Sequence, residues 1–235
     1  MATMKEFQVQ GQTITVRQCF GAVPGIVVPA YKVVYLHSAR DNGKAAWQQC
    51  LNLGCSDFAL VSISGLEWNT ALTPWECEGI FAEDKPFAGQ AAGQLELLAS
   101  EVIPVAEQAL GLTAKRVNRT VAGYSLAGLF AVWSAFNCGC FNRVASASGS
   151  LWYPGFAEYA ATHEFARKPE AAYFSLGNKE HKTPSRLLRN VAEGTRQVEE
   201  LFASRGVRTT FEKNPGNHFK DPDLRMAKAI QWILQ

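Results

Sequence analysis

The sequence predicts an α/β fold in which a mostly parallel sheet carries helices on both faces. Runs rich in β-branched residues alternate with segments of helical periodicity along most of the chain, an order typical of right-handed crossover connections. Residues 32–37 and 58–63 are apolar at nearly every position, as in strands buried on both faces. With 235 residues and no shift in composition, residues 1–235 are predicted to form a single domain without a large lid.

Each element follows from a local signal. Residues 7–9 and 13–20 are β-rich and, with the segment 21–25 after them, predict an opening hairpin. The further predicted strands are residues 32–37, 58–63, 117–123, 144–148, 172–176 and 209–212. The predicted helices are residues 45–53, 91–110, 126–136, 156–162, 187–205 and 222–234. Gly54 ends the first of these helices, and Pro104 is expected to kink the second. Residues 64–89 form a long irregular stretch, and loops of this length are often functional.

Composition and charge argue against several functions. The net charge is +2 and the basic residues are scattered, so no nucleic acid or anionic membrane is expected as a partner. The first residues lack the apolar core of a signal peptide, and no apolar run approaches the roughly 20 residues that span a bilayer. The chain is therefore expected in the cytoplasm, with its six cysteines reduced. Cys138 and Cys140 lack the partners of a metal site and predict a helix-end turn with two buried thiols.

Residues 119–130 have the layout of a nucleophile elbow. A β-branched run meets Gly123 and Ser125 and continues at once into a small, apolar helical pattern. Such a turn needs small residues two positions before and two after the serine, because larger side chains would collide there. Gly123 and Ala127 satisfy this need, although glycine is usual at the position of Ala127. The alternative is that Ser125 caps an ordinary helix.

A serine nucleophile needs a base, and His218 is the best candidate. It lies in a turn-rich loop between the last predicted strand and the last predicted helix, where a general base would reach a serine at a strand end. Alternatively, His218 is only a residue near the start of the closing helix, whose dipole would lower its pKa. His181 is the reserve candidate, and His163 is expected at the surface.

Glu180 is the candidate acid. It is the one carboxylate in residues 177–182, directly after the predicted strand 172–176. A carboxylate there would hold His218 in the right tautomer and stabilise the imidazolium that forms during attack. The alternative is a solvated loop charge beside two lysines. Asp221 and Asp223 come after the histidine and fit the first turn of the closing helix better.

The end of the strand 32–37 predicts the oxyanion hole. The loop after this strand would offer one backbone N–H, from Ser38 or Ala39, and Leu126 after the nucleophile would offer the other. His37 itself is expected to have an architectural role near the substrate or, equally, to be a loop histidine satisfied by neighbouring backbone.

Together these segments resemble a known family. Residues 123–130 (GYSLAGLF), 148–152 (SGSLW), 74–75 (PW) and 216–219 (GNHF) are similar to the putative esterase family of α/β-hydrolases. That family includes esterase D, the enterobactin esterases and the mycolyltransferases. The resemblance spans about residue 30 to the C terminus and is strongest to the compact enterobactin-esterase-like predicted hydrolases.

The resemblance implies an eight-stranded α/β-hydrolase sheet and a serine mechanism without metal or cofactor, acting on small-molecule esters or thioesters. By position, Ser125 is the nucleophile, His218 the base and Glu180 the third member. Asn178 departs from the family, since an aspartate is common there, and some siderophore esterases of this group work with a Ser-His dyad.

The expected substrates are small or exposed acyl esters. The aromatic loop around Trp68 and Trp75, together with Trp152 and Tyr153, would wall the pocket, and His37 and Tyr124 are expected to contact the substrate. For any single aromatic ring, core packing is as good an explanation. Two alternatives to hydrolysis stay open: an acyltransferase that uses the same acyl-enzyme, and an inactive α/β-hydrolase scaffold that serves as a binding protein.

Overall fold

The computed structural model describes residues 3–20, 30–80, 85–112 and 116–235. Over these residues, strands and helices alternate as the sequence predicts. The strands are β1 (Thr3–Val9), β2 (Gln12–Gln18), β3 (Tyr31–His37), β4 (Phe58–Ser64), β5 (Glu76–Cys77), β6 (Phe87–Ala88), β7 (Val117–Tyr124), β8 (Arg143–Ala147), β9 (Ala171–Gly177) and β10 (Arg208–Asn214). The α-helices are α1 (Lys44–Asn52), α2 (Trp68–Ala71), α3 (Ala91–Leu97), α4 (Ile103–Ala109), α5 (Leu126–Asn137), α6 (Phe156–Thr162), α7 (Arg186–Arg189), α8 (Val191–Ser204) and α9 (Pro222–Ile233).

The described residues build an eight-stranded sheet in the order β1-β2-β4-β3-β7-β8-β9-β10. From β4 to β10 all neighbours are parallel, whereas β2 is antiparallel to both β1 and β4. The predicted opening hairpin is therefore confirmed, while its following segment 21–25 lies outside the described residues. The predicted α/β-hydrolase architecture is confirmed as well.

Both faces of the sheet are covered by helices. Val34 and Leu60 face the layer formed by α1 and α9, whereas their neighbours Val33 and Val61 belong to the core under α3, α4, α5, α6 and α8. Successive side chains of a strand point to opposite faces, so a strand between two helical layers must be apolar at every position. This burial explains the continuous apolar runs in the sequence.

Two predicted helices are divided in the structure. A π-helical turn at Leu98–Val102 joins α3 to α4. Pro104 follows within the first turn of α4, where it has no N–H to donate to the preceding turn, and the irregularity therefore precedes the proline. The predicted helix 187–205 is interrupted at Asn190, between α7 and α8.

The long stretch 64–89 is less irregular than predicted. It contains the short helix α2 and a small antiparallel sheet of β5 and β6, and its residues 81–84 lie outside the described part of the chain. Gly89 has a φ of +69°, and a Cβ there would lie 2.3 Å from the carbonyl carbon of Trp75. Only glycine allows the two segments to approach so closely.

The expectation of two buried thiols after α5 is wrong. Cys138 and Cys140 form a disulfide and are both partly exposed. Their Cα atoms lie 5.4 Å apart because the chain turns at Gly139, and this separation is within the range that a disulfide can bridge. Cys19, Cys50, Cys55 and Cys77 carry free thiols.

Candidate active site

Ser125 lies at a sharp turn between β7 and α5. Its backbone has φ +61° and ψ −124°, a conformation that costs free energy for a residue with a side chain and is found at functional turns. A Cβ on Gly123 would lie 2.2 Å from the carbonyl carbon of Ala127, so only glycine fits two residues before the serine. The methyl group of Ala127 is buried in the space that Gly123 leaves free. Alanine at this position is therefore compatible with the elbow.

Three side chains from the carboxyl edge of the sheet form one hydrogen-bonded series. The Ser125 hydroxyl oxygen lies 3.1 Å from Nε2 of His218, and Nδ1 of the same ring lies 2.9 Å from Oε2 of Glu180. Ser125 follows β7, Glu180 follows β9 and His218 follows β10. Parallel strands present their carboxyl ends on the same side of the sheet, which brings these distant residues together.

Glu180 is a buried carboxylate with several donors. Its Oε1 accepts hydrogen bonds from the backbone N–H of Gly177 at 2.5 Å and from the hydroxyl of Ser148 at 2.8 Å. Burial raises the pKa of this carboxyl, but the hydrogen bonds from His218, Gly177 and Ser148 outweigh burial and hold the pKa below its usual value. Glu180 is thus an anion that orients the Nδ1–H of His218, and it is not the solvated loop charge of the alternative interpretation.

Arg225 on α9 was not anticipated from the sequence. Its side chain is 2% exposed and donates to Oε1 of Glu180 at 3.0 Å. It also donates to the carbonyls of Pro215 and Asn217, both at 2.9 Å, in the loop that carries His218. One guanidinium therefore compensates the buried carboxylate and fixes the histidine loop. An arginine next to Met226 on the apolar side of a helix is the only signal of this role in the sequence.

Asn178 also joins the two loops. Its Oδ1 accepts from the N–H of Gly216 at 3.0 Å, and the N–H of Lys179 donates to the carbonyl of Gly216 at 3.0 Å. Asn178 therefore holds the histidine loop against the end of β9, while Glu180 two residues later contacts the ring of His218.

The two proposed oxyanion donors from the β3 loop are not equivalent. The N–H of Ser38 donates to the carbonyl of Ile63 at 2.8 Å and is therefore unavailable to a substrate. The N–H of Ala39 meets no acceptor among the described residues. Leu126 begins α5, and the first N–H groups of a helix have no partner within it. Of the three candidate donors, Ala39 and Leu126 are therefore the two whose N–H groups have no acceptor among the described residues.

His37 is not a loop histidine satisfied by backbone. It is 1% exposed at the end of β3, and its Nε2 lies 3.1 Å from Nε2 of Gln94. Burial lowers the pKa of its ring to about 3, so the ring is neutral at pH 7. The ring of Phe130 on α5 packs edge-on against it, with centroids 4.7 Å apart.

A cavity of about 520 Å³ opens at Ser125. Tyr124 and His37, the residues expected to contact the substrate, are among those that line it, and Trp68 and Phe219 add aromatic surface. The Tyr124 hydroxyl donates to the carbonyl of His218 at 2.6 Å, which leaves mainly its ring to face a ligand.

Three of the aromatic residues expected to wall the pocket do not line this cavity: Trp75, Trp152 and Tyr153. The indole N–H of Trp75 donates to the carbonyl of Pro154 at 3.0 Å, and its ring packs against Tyr153. The ring of Trp152 packs against those of Tyr153 and Phe87. Both rings belong to an aromatic cluster that packs against the 64–89 stretch. Packing in this cluster removes apolar ring surface from water, which is more favourable than exposure to solvent.

The other histidines lie apart from this series. His163 and His181 are exposed, and neither lines the cavity. Asp221 and Asp223 flank the start of α9, as expected for acidic residues near a helix N-terminus. Asp223 lines the cavity beside Asp41, and burial together with the charge of Asp41 raises its pKa.

The eight-stranded, mostly parallel sheet with helices on both faces is the fold of the α/β-hydrolases. The model of the family described as "Putative esterase" matches residues 29–222. The chain belongs to this family and is an esterase. Among the described residues, no helix is long and apolar enough to cross a membrane.

The chain is also similar to individual proteins in sequence or in fold. The uncharacterized protein YbbA of Bacillus subtilis (strain 168) is 25% identical over 169 residues, which cover 68% of this chain and 67% of that protein. An IroE-like serine hydrolase from Shewanella oneidensis has a TM-score of 0.74 at 16% identity, over 99% of this chain and 79% of the other. The siderophore hydrolase EstA from Aspergillus nidulans has a TM-score of 0.70 at 16% identity, over 98% of this chain and 93% of the other. At these identities the solved structures show a shared fold.

Proposed function

We propose that this esterase cleaves carboxylic esters or thioesters of small or exposed acyl groups through an acyl-enzyme on Ser125. The observation that carries the proposal is the series in which Ser125 Oγ lies 3.1 Å from His218 Nε2 and His218 Nδ1 lies 2.9 Å from Glu180. A serine hydroxyl becomes a good nucleophile when a neutral imidazole accepts its proton, and an anion at the other ring nitrogen keeps that imidazole in the required tautomer.

The proposed reaction has two stages. In the first, His218 takes the proton of Ser125 as Oγ attacks the ester carbonyl, and the N–H groups of Leu126 and Ala39 bind the oxyanion. His218 then gives the proton to the leaving alcohol or thiol, and an acyl-Ser125 ester is left. In the second stage, His218 takes a proton from water as the water attacks the acyl-enzyme. His218 then gives this proton to Oγ of Ser125 as the bond to the acyl group breaks, which releases the acid and restores both residues.

The cavity supports small substrates. Its volume of about 520 Å³ is that of a pocket for a small molecule, and its lining includes the buried residues Leu36, Ala46 and Met226. Phe219, next to His218, is 82% exposed at the same cavity. An apolar acyl or alcohol group could remove this ring from water and gain binding free energy.

A fluorophosphonate probe tests the nucleophile. We expect it to label the protein once, and peptide mapping should place the mass increment on Ser125 and not on Ser150, whose hydroxyl oxygen lies 3.5 Å away. Ser125→Ala should abolish labelling and reduce p-nitrophenyl acetate hydrolysis by about 10³-fold or more. The matched control Ser204→Ala, at an exposed helix end, should retain both the labelling and the hydrolysis. Folded wild-type protein that is not labelled would favour the inactive scaffold.

The cytoplasmic location and the single-domain organisation expected from the sequence stay predictions of this proposal. Cell fractionation checks the first, and a single cooperative unfolding transition seen by two different probes checks the second.

A further inference from the structure

A buried chain of polar side chains leads away from the candidate active site. Gln12 on β2, Gln94 on α3 and His37 on β3 are 8%, 5% and 1% exposed. Nε2 of Gln12 donates to Oε1 of Gln94 at 2.6 Å, and Nε2 of Gln94 donates to Oε1 of Gln12 at 3.0 Å. The same Gln94 nitrogen lies 3.1 Å from Nε2 of His37.

These bonds define the state of the His37 ring. An amide nitrogen only donates, so Nε2 of His37 is the acceptor and the hydrogen of the neutral ring lies on Nδ1. Gln12 fixes the orientation of the Gln94 amide, because it bonds both the oxygen and the nitrogen. Both hydrogens of the Gln94 amide are thus used, one toward Gln12 and one toward His37.

A hydrogen bond at the second ring nitrogen, Nδ1, does not account for the burial of His37. Nδ1 of His37 is buried and has no hydrogen-bond partner among the described residues. A buried donor without an acceptor reduces stability, so a polar ring at this position needs another reason.

The ring lies between the two elements that present the candidate oxyanion donors. His37 ends β3, two residues before Ala39, and its ring packs against Phe130 on α5, whose first residue is Leu126. Gln94 holds the ring from the side of α3. The position of the Ala39 N–H relative to the Leu126 N–H therefore depends on contacts that His37 makes.

We propose that Gln94 is a positioning residue, which through His37 sets the distance between the N–H groups of Ala39 and Leu126. The inference rests on the proposed function, in which these two groups bind the oxyanion. Such donors stabilise the transition state only if they are fixed within a few tenths of an ångström of the developing charge. A hydrogen bond to one defined ring nitrogen provides this precision, whereas an apolar contact would allow the ring to rotate.

Kinetics of Gln94→Met, which keeps the volume and removes the hydrogen bonds, test the proposal. With p-nitrophenyl acetate we expect kcat to fall about tenfold or more while KM changes less than about threefold, because the donors act on the transition state. Tyr35→Phe is the matched control. Tyr35 lies two residues earlier on the same face of β3 and loses a buried hydrogen bond of 3.1 Å to Glu107, so it should lower the melting temperature and leave kcat unchanged.

A second variant covers the case in which Gln94→Met does not fold. In Gln94→Glu the carboxylate cannot donate to Nε2, so the hydrogen should move to that nitrogen, and kcat should again fall. ¹⁵N NMR of the histidine rings reports this directly, with Nδ1–H for His37 in the wild type and Nε2–H in the variant.

Three results separate the outcomes. An Nε2–H ring in the wild type, or Gln94 variants whose kcat equals that of Tyr35→Phe, would overturn the role of Gln94 while the esterase mechanism stands. Wild-type protein without labelling or hydrolysis contradicts the proposed function itself. Loss of kcat in both Gln94 variants, with the predicted tautomers, supports the positioning role.

Discussion

At the scale of single residues, the central question is whether Glu180 works with His218 or whether serine and histidine act alone. The carboxylate is buried and accepts hydrogen bonds from Gly177, Ser148 and Arg225 as well as from the ring. So many donors hold it as an anion in one orientation, which favours three participating residues over two.

The substitution Glu180→Gln keeps the shape of the side chain and tests whether its negative charge takes part in catalysis. The neutral amide no longer stabilises the imidazolium and allows the wrong tautomer of His218, so we expect kcat to fall by about 10²- to 10⁴-fold. Steady-state hydrolysis of p-nitrophenyl acetate measures the change in kcat. Glu158→Gln, on the exposed side of α6, is the control and should leave kcat unchanged. A loss of less than threefold would show that the site works as a dyad.

At the scale of elements, the turn from β7 into α5 determines where the nucleophile is presented. Gly123→Ala places a methyl group 2.2 Å from the backbone of Ala127, so the strand and helix must separate. We expect the free energy of unfolding to fall by about 3 kcal/mol and labelling of Ser125 to slow. Chemical denaturation and the rate of fluorophosphonate labelling measure the two effects.

Gly93→Ala is the matched control for this element. Gly93 lies in α3, and a Cβ there meets no atom within 4 Å. Alanine should therefore stabilise the helix by about 0.5–1 kcal/mol through its better helix propensity. If Gly123→Ala behaves like Gly93→Ala, the elbow does not need glycine.

At the scale of the whole molecule, the buried His37 makes stability depend on pH. Its pKa in the folded protein is about 3 and its ordinary value is 6.5, so between these values the unfolded chain binds a proton that the folded protein does not. Stability therefore falls as pH falls from about 6.5, with a slope of at most about 1.4 kcal/mol per pH unit for this group. The lowered pKa of Glu180 has the same sign but acts only below its ordinary value of 4.5.

Urea denaturation between pH 7 and pH 5 measures this slope without titrating Glu180. His37→Gln removes the buried ring and should flatten the dependence, whereas His163→Gln, at an exposed position, should not. An unchanged slope in His37→Gln would mean that the ring is not buried as a neutral group.

Much of the architecture and the three proposed catalytic residues could be predicted from the sequence. Apolar periodicity located most strands, and their parallel order places Ser125, Glu180 and His218 at strand ends on one edge of the sheet. These signals are local, because each depends on a few consecutive residues and on general rules of connection.

Only the tertiary structure decided which other groups take part. Arg225 meets Glu180 from 45 residues away, and Gln94 meets His37 from 57 residues away. The N–H of Ser38 donates to the carbonyl of Ile63 on the neighbouring strand, and no local sequence pattern predicts this hydrogen bond. The sequence by itself determined the order and chemistry of the strand-end residues, whereas packing between distant segments determined their partners, because burial and hydrogen bonding depend on neighbours in space.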